Sequence, residues 1–379
     1  MTKSRRQESV DGRQKLWGTS ASSRHKQQKM KTTKPNNTTP KTTIRMPAEW
    51  ERQSFVQLTF PHENTDWAYM LDEAVACFVN IAEEITKRQN LLVVCADKLK
   101  VKNYLKHLPQ SRIKYVQIPS NDTWARDHGA ITVLKNQIPY VLDFTFNGWG
   151  LKFPANLDNQ INIQLFDKKV FPKEVGYKNR KNFILEGGSI ESDGRGTILT
   201  TSECLLSDNR NNISREKIEA KLKKYLGAER VLWLNNGYLA GDDTDSHIDA
   251  LARFCSYDTI AYVKCTDEND EHYDALRLME RELKFFTLSG SANKYNLIAL
   301  PMADAVYDEN GHRLPATYAN FLIINDAVLV PTYNSPKDEI AMAKIQKAFP
   351  DREIVGIDCR ALIKQHGSLH CVTMQYFDF

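Results

Sequence analysis

The sequence predicts an α/β fold of repeated units, each a helix and three short strands, packed side by side around an axis. Three observations predict it. One order of elements recurs along the chain at intervals of about 50–70 residues. A single unit is too small to bury its own sheet face, so several must pack together. The polar residues Asp127, Glu186, His247, Asn320 and Cys371 each fall in the turn before a hairpin strand or at that strand's start. They are 59, 61, 73 and 51 residues apart.

The run "SFVQLTF" at 54–60 reads as a strand with no helix of its own ahead of it. The first full unit has a helix at about 157–170, the strand "NFIL" at 182–185, then "SIES" and "GTILTT". In the next, residues 214–226 form a helix: Ser214 caps it, Ile218, Leu222 and Leu226 share a face, and Gly227 ends it. "RVLWL" at 230–234 is a buried strand, and "HIDALARF" with "DTIAYV" reads as a hairpin. A third unit has a helix at about 271–286, then "LIALP", "NFLIIN" and "AVLVPT". The last has a helix at 337–348, "EIVGI" and "HCVTMQ", and is one strand short. Residues 54–60 supply that strand and close the ring. Equivalent positions then converge at one end of the axis, which makes a pocket from residues remote in sequence.

The chain of 379 residues is 41% apolar and 26% charged, ordinary for a soluble protein with a sizeable core. No apolar run reaches the length of a membrane span, and the N-terminus lacks an apolar signal core. Seven scattered cysteines without a CxxC pair exclude a disulfide framework and a zinc site, and point to a reducing, cytoplasmic compartment. Residues 1–45 carry twelve Lys/Arg against Glu8 and Asp11, a net of +10. The whole chain is +4, so residues 46–379 carry −6. The basic extension cannot bury enough surface to order itself and is expected to be disordered. Residues 46–379 are expected to form one catalytic domain. Its mild acidity suits a small cation better than a polyanion.

Each candidate residue is ambiguous alone. Asp127, between Arg126 and Gly129, reads as a turn carboxylate. Glu186, ahead of Gly187 and Gly188, is a turn former or a pocket residue. His247 and Asp249 are two apart and share a side if they lie in a strand. Asp242, Asp243 and Asp245 form a surface acidic loop or a cation site, without the spacing of an EF-hand. Cys371 is a small buried hydrophobe or a nucleophile. Taken together they are more specific. A cysteine and a histidine support nucleophilic catalysis. Several carboxylates beside a thiol would weaken it by repulsion, unless the substrate is itself a cation. A guanidinium is planar, permanently charged and able to bond carboxylates in bidentate fashion.

With these residues in view, the sequence resembles the guanidine-modifying enzymes, and within them the agmatine deiminase / bacterial-type peptidylarginine deiminase group. The motifs are "MPAEW", "NDTWARDHG", "FNGWG", "LEGGSI", "TTSECLLSDNRN", "DDTDSHIDALARF", "YANF" and "GSLHCVTMQ", in order from Met46 almost to the C-terminus. The resemblance implies a five-bladed pseudo-symmetric α/β-propeller (a pentein). It implies Cys371 as nucleophile, His247 as general acid/base, Asp127 and Asp249 as guanidinium-binding carboxylates, and Glu186 as their support. It adds Trp124, Trp149 and Asn320 as substrate-binding residues. Ser246 and His366 stand where glycine is common in the group.

No metal or organic cofactor is implied. The expected partner is a small cationic guanidine, with no membrane, no specific nucleic acid, and homodimerisation left open. The acidic run, with Asp243 at its centre, and the arginine-free span 128–179 favour agmatine, converted to N-carbamoylputrescine and ammonia. Peptidylarginine is the alternative substrate, and a non-catalytic binding factor the alternative class.

Overall fold

Tight turns can join only antiparallel strands, so the parallel pairs in this chain need helices to carry the crossover. The computed structural model describes residues 43–377, a mixed α/β architecture with five sheets. In one sheet Ala252–Ser256 pairs antiparallel with Thr259–Lys264, which pairs in parallel with Asn296–Pro301. Helix Tyr273–Phe285 makes the crossover. Two further sheets repeat this order: Leu322–Ile324, Ala327–Thr332 and Glu353–Asp358, and Ile190–Ser192, Thr197–Thr201 and Arg230–Leu234. The strand after each helix therefore joins the hairpin ahead of that helix. The sheets are one step out of phase with the helix–strand–hairpin grouping read from the sequence.

A fourth sheet holds the hairpin Ile131–Lys135 and Ile138–Thr145, the parallel strand Gly176–Ile184 and an edge strand, Ile44–Arg45. The fifth joins distant parts of the chain. Thr373–Phe377 lies antiparallel to Gln53–Thr59, which continues in parallel to Asn90–Cys95 and Ile113–Gln117. The strand predicted at 54–60 thus takes the place expected of it.

Helix Arg215–Leu226 buries Ile218, Leu222 and Leu226 and ends at Gly227, whose φ is +74°. A Cβ there would lie 1.9 Å from the Ile44 carbonyl oxygen, so only glycine lets the edge strand pass. Ser214 is at the N-cap, but its side chain makes no capping bond. The helix expected at 157–170 is shorter, a 3-10 turn at Asp158–Gln160 and a helix at Ile161–Asp167. Lys169, at φ +53°, turns the chain out of it. Residues ahead of Met46 belong to the folded body, because Ile44–Arg45 is in the sheet and Arg45 pairs with Glu51. The rest of the basic extension, residues 1–42, lies outside the described residues. No helix among the described residues is long and apolar enough to cross a membrane.

Candidate active site

The five polar residues singled out by the repeat sit just ahead of five strands. Asp127 precedes Ile131–Lys135, Glu186 precedes Ile190–Ser192, His247 precedes Ala252–Ser256, Asn320 precedes Leu322–Ile324, and Cys371 precedes Thr373–Phe377. The structure brings them together. Cys371 Sγ is 4.0 Å from Asp249 Oδ2 and 3.5 Å from Asn320 Oδ1. His247 Nδ1 is 3.6 Å from Asp127 Oδ1. Glu186, His247 and the thiol of Cys204 lie within 4.8 Å of one another. A Cβ on Gly188 would stand 2.6 Å from His247 Nδ1, 2.9 Å from Asp127 Oδ1 and 3.2 Å from Asp249 Oδ2. Those three atoms surround one point, and glycine keeps it clear.

The local backbone differs from the sequence reading at two places. His247 and Asp249 are not in a strand. Ile248–Ala250 is a 3-10 turn, and the ladder begins only at Ala252. Asp245 and Ser246 have φ of +62° and +63°, and Asp242 accepts hydrogen bonds from the Thr244 and Ser246 amides. That knot holds the chain off the ladder. Cys371 likewise lies in a turn, not in the strand, because its backbone is used elsewhere. Its carbonyl accepts from the Arg126 amide, and the neighbouring His370 amide donates to Asn320. Ser246 and His366, at φ +63° and +65°, adopt the left-handed backbone that favours the glycine common in the group.

Burial governs the ionisation. It pushes the Cys371 thiol well above its ordinary range, and Asp249 and Asp127 push it the same way. Burial, Asp249 and Glu186 raise Asp127 against the hydrogen bonds from Trp149 and Gly188. Burial raises Glu186 too, opposed by Arg210. It also lowers His247 to about 3, so the imidazole is neutral at physiological pH. Asp249 goes the other way. Burial would raise it, but the His370 hydrogen bond and the nearby Arg253 guanidinium hold it below the usual carboxylate range. Both ring nitrogens of His247, Glu186 Oε2 and Asp249 Oδ1 are buried without a hydrogen-bond partner. Leaving such atoms unpaired costs about 1–3 kcal/mol each. This is a site prepared to receive a group rich in donors.

A cavity of 150 Å³ opens onto Cys371 and Asp127 and is walled by Trp124, Trp149 and Phe153. Trp149, in the left-handed "FNGWG" turn, donates its indole N–H to Asp127 at 3.0 Å. Trp124 packs edge-on against it and donates to Asp122. His247, Asp249, Glu186 and Asn320 are not part of this lining and pack behind it. A larger groove of 890 Å³ runs past Tyr69 and Tyr307 but holds none of these residues.

The acidic run divides. Asp243 lines the cavity, as the sequence suggested. Asp242 instead ties its own loop, and Asp245 pairs with Lys152 and Arg210. Sequence reasoning missed Asp66 and Asp122, which also line the cavity. Burial and Asp66 push Asp122 up to about 7. It also missed Arg210, the buried partner of Glu186 at 2.8 Å, although Arg210 lies within the quoted "TTSECLLSDNRN". The other omission is a buried network of Glu49, Arg126, Glu191, Arg253 and His370. Glu49, Arg126, Arg253 and His370 all lie in the motifs quoted above, but nothing in those motifs pairs them. Among the described residues, two groups have the donor types of a metal site, Glu186/Cys204/His247 and Glu49/Glu191/His370. In each an arginine already bonds to the carboxylates: Arg210 to Glu186 in the first, and Arg253 to both in the second.

Known proteins share this arrangement of chain. The agmatine deiminase of Pseudomonas aeruginosa (strain LESB58) is 32% identical over 373 residues, covering 90% of this chain and 97% of its own. A serine variant of the C. jejuni agmatine deiminase, solved with substrate bound, is 40% identical at a TM-score of 0.83, covering 89% and 97%. A Porphyromonas gingivalis protein provisionally described as an arginine deiminase is 54% identical at a TM-score of 0.84, covering 88% and 98%. The model of the Porphyromonas-type peptidyl-arginine deiminases matches residues 45–376. By that match and by these relatives, the chain belongs to the Porphyromonas-type peptidyl-arginine deiminase family.

Proposed function

We propose that the protein is an agmatine deiminase whose five sheets are the blades of one α/β-propeller, a single catalytic unit from residue 43 onward. One observation carries the choice of substrate. Beyond Asp127, the cavity is lined by the carboxylates of Asp66, Asp122 and Asp243, and by no Arg or Lys. A distal ammonium is welcome there, whereas the carboxylate of free arginine meets repulsion. Peptidylarginine fits less well, because its neutral amide ends give Asp66, Asp122 and Asp243 no cation to pair with.

The guanidinium places its N–H donors on Asp127 and Asp249 and its carbon over Cys371. Its positive charge reverses the repulsion that keeps the thiol protonated. The thiol proton passes to His247, and the thiolate forms a bond to the guanidinium carbon. His247 returns the proton to a terminal nitrogen, the C–N bond breaks, and ammonia leaves. The S-alkylthiouronium that remains is attacked by water, whose proton His247 takes. The C–S bond then breaks as the hydroxyl proton is lost to solvent, giving N-carbamoylputrescine, and His247 returns its proton to the thiolate, which restores the thiol. Glu186, anchored by Arg210, steadies the histidine's charged form. The seven free, buried cysteines support a reducing compartment such as the cytoplasm.

Ammonia release from agmatine, arginine and a blocked arginine peptide tests the assignment. kcat/KM for agmatine is expected to exceed that for arginine by at least about 100-fold, since each charge-assisted contact contributes about 1.5–3 kcal/mol. Asp243→Asn should shrink that gap by raising KM for agmatine more than it lowers kcat. Equal efficiency on the two substrates, or a preference for the peptide, refutes agmatine.

The thiol chemistry has its own check. With its pKa raised, Cys371 of the free enzyme should react with neutral iodoacetamide only as pH climbs past the usual thiol range. An amidinium-bearing alkylator carries the charge that stabilises the thiolate. It should react at least about 100-fold faster than its neutral amide analogue near pH 7, a gap of about two pKa units. Equal rates would show that the substrate's charge does not activate the cysteine.

A further inference from the structure

His370, the residue before the nucleophile, lies at the centre of the buried charge network. Its ring is 1% exposed and points away from the cavity, between two carboxylates. Nδ1 is 2.7 Å from Asp249 Oδ2, and Nε2 is 2.8 Å from Glu49 Oε1. Arg253 Nη2 lies 3.0 Å from the same Nε2. As a neutral ring with its proton on Nδ1, His370 accepts from Arg253; as an imidazolium, it donates to Glu49. Nδ1 carries a proton in both cases, so the bond to Asp249 is kept.

We propose that His370 is a positioning residue, which fixes the Asp249 carboxylate for the guanidinium by occupying one of its oxygens. The inference rests on the guanidine reading above. Asp249 Oδ2 is held by His370, and Oδ1 is left buried and without a partner. A free acceptor with a fixed direction is what an incoming N–H requires. The same bond works against the burial that raises Asp249. Asp249 also faces His247, Asp127, Arg253 and Cys371. His370 also faces Glu49, Arg253 and the Arg126 guanidinium, whose Nε is 3.5 Å from the His370 carbonyl oxygen. The other end of the ring is anchored too. Glu49 bonds to Arg126, Arg253 and Gln375, so the ring cannot swing. Through His370, the segment that opens the ordered body, at Glu49, orients a group that touches the substrate.

The test compares wild type with His370→Leu, His370→Gln and His370→Asn across pH 5 to 10, with melting temperature and circular dichroism as folding controls. Leucine removes the donor. Glutamine places its amide toward Glu49 and leaves Asp249 without one. Asparagine can put an N–H where Nδ1 stands. Leucine and glutamine should lower kcat/KM by about 10- to 150-fold, the range for one hydrogen bond to a charged group. They should also move the acid limb of kcat/KM to higher pH, because Asp249 then has burial without its donor. Asparagine should restore most of the rate and return the limb to its wild-type position. A purely structural role predicts that all three lose activity in step with melting temperature, with the limb unmoved. That result overturns the proposal, as does an unshifted limb in a folded glutamine variant or an asparagine variant no better than leucine. Wild type inert on all three guanidines overturns the functional reading and this inference together. Wild type active with His370 variants unchanged overturns this inference alone.

Discussion

Replacing Cys371 with alanine is expected to reduce turnover below about one part in 10⁴, because in the proposed mechanism the sulfur forms and breaks the bond to carbon. The fold should survive. The side chain is small, and its removal relieves a thiol crowded by Asp249 and Asp127. Its loss should change stability by no more than about 1 kcal/mol. Ammonia release measures the first expectation and thermal melting the second. Wild-type protein quenched during turnover should carry the adduct mass on the peptide containing Cys371. Residual turnover by the alanine variant, or an adduct on Cys204 or Cys359, rejects the mechanism.

Arg253→Met should produce the largest loss of stability. Arg253 is fully buried, bonds to Glu191 and Glu49, and donates to the carbonyls of Ala319 and Phe321. Burial pushes Glu191 up to about 8, eased by Arg253 and aggravated by Glu49. Glu49 is held well below the ordinary range, where the charges of His370, Arg253 and Arg126 outweigh its burial. With Glu191 protonated, Arg126 and Arg253 balance Glu49 and Asp249. Methionine fills the volume but leaves a carboxylate uncompensated, a cost of about 3–5 kcal/mol. The sign with pH follows. A carboxyl whose pKa in the folded state rises above its ordinary 4.5 contributes its stability below that value and loses it as pH rises through the folded pKa. Without Arg253 the folded pKa of Glu191 rises beyond its present value of about 8, so urea melts should show a penalty that grows as pH climbs above that value. A penalty that is flat with pH, or under about 1 kcal/mol, would show that the charge balance is not what Arg253 provides.

The candidate site was largely legible because its residues break a local pattern. Asp127, Glu186, His247, Asn320 and Cys371 are polar residues at the mouths of apolar hairpins, and hairpins are signalled over short stretches of chain. What was not legible depends on partners far away in sequence. Asp245 looked like part of a free acidic patch until Lys152 and Arg210, 93 and 35 residues away, were seen to hold it. The phase of the sheets was misread because a parallel partner lies beyond a whole helix. The turn at Ile248–Ala250 was hidden because "HIDALARF" alternates like a strand, and only the Asp242 knot forces another path. The network around Arg253 is spread from Glu49 to Gln375, and the separate motifs that hold most of its members do not show that they meet. The two departures from glycine, Ser246 and His366, were visible in sequence. Their meaning needed the backbone, which is left-handed at both.

The pairing of Thr373–Phe377 with Gln53–Thr59 has a consequence for how a copy of this protein comes into being during synthesis. The proposed nucleophile and the strand that pairs with Gln53–Thr59 are made at nearly the same moment, after the other residues of the site. A nascent chain stalled before Cys371 has the carboxylates and the histidine but neither the sulfur nor the closing strand. A copy that stops there is open along the edge of Gln53–Thr59. Catalytic competence and resistance to edge-to-edge aggregation arrive together, with the same few residues.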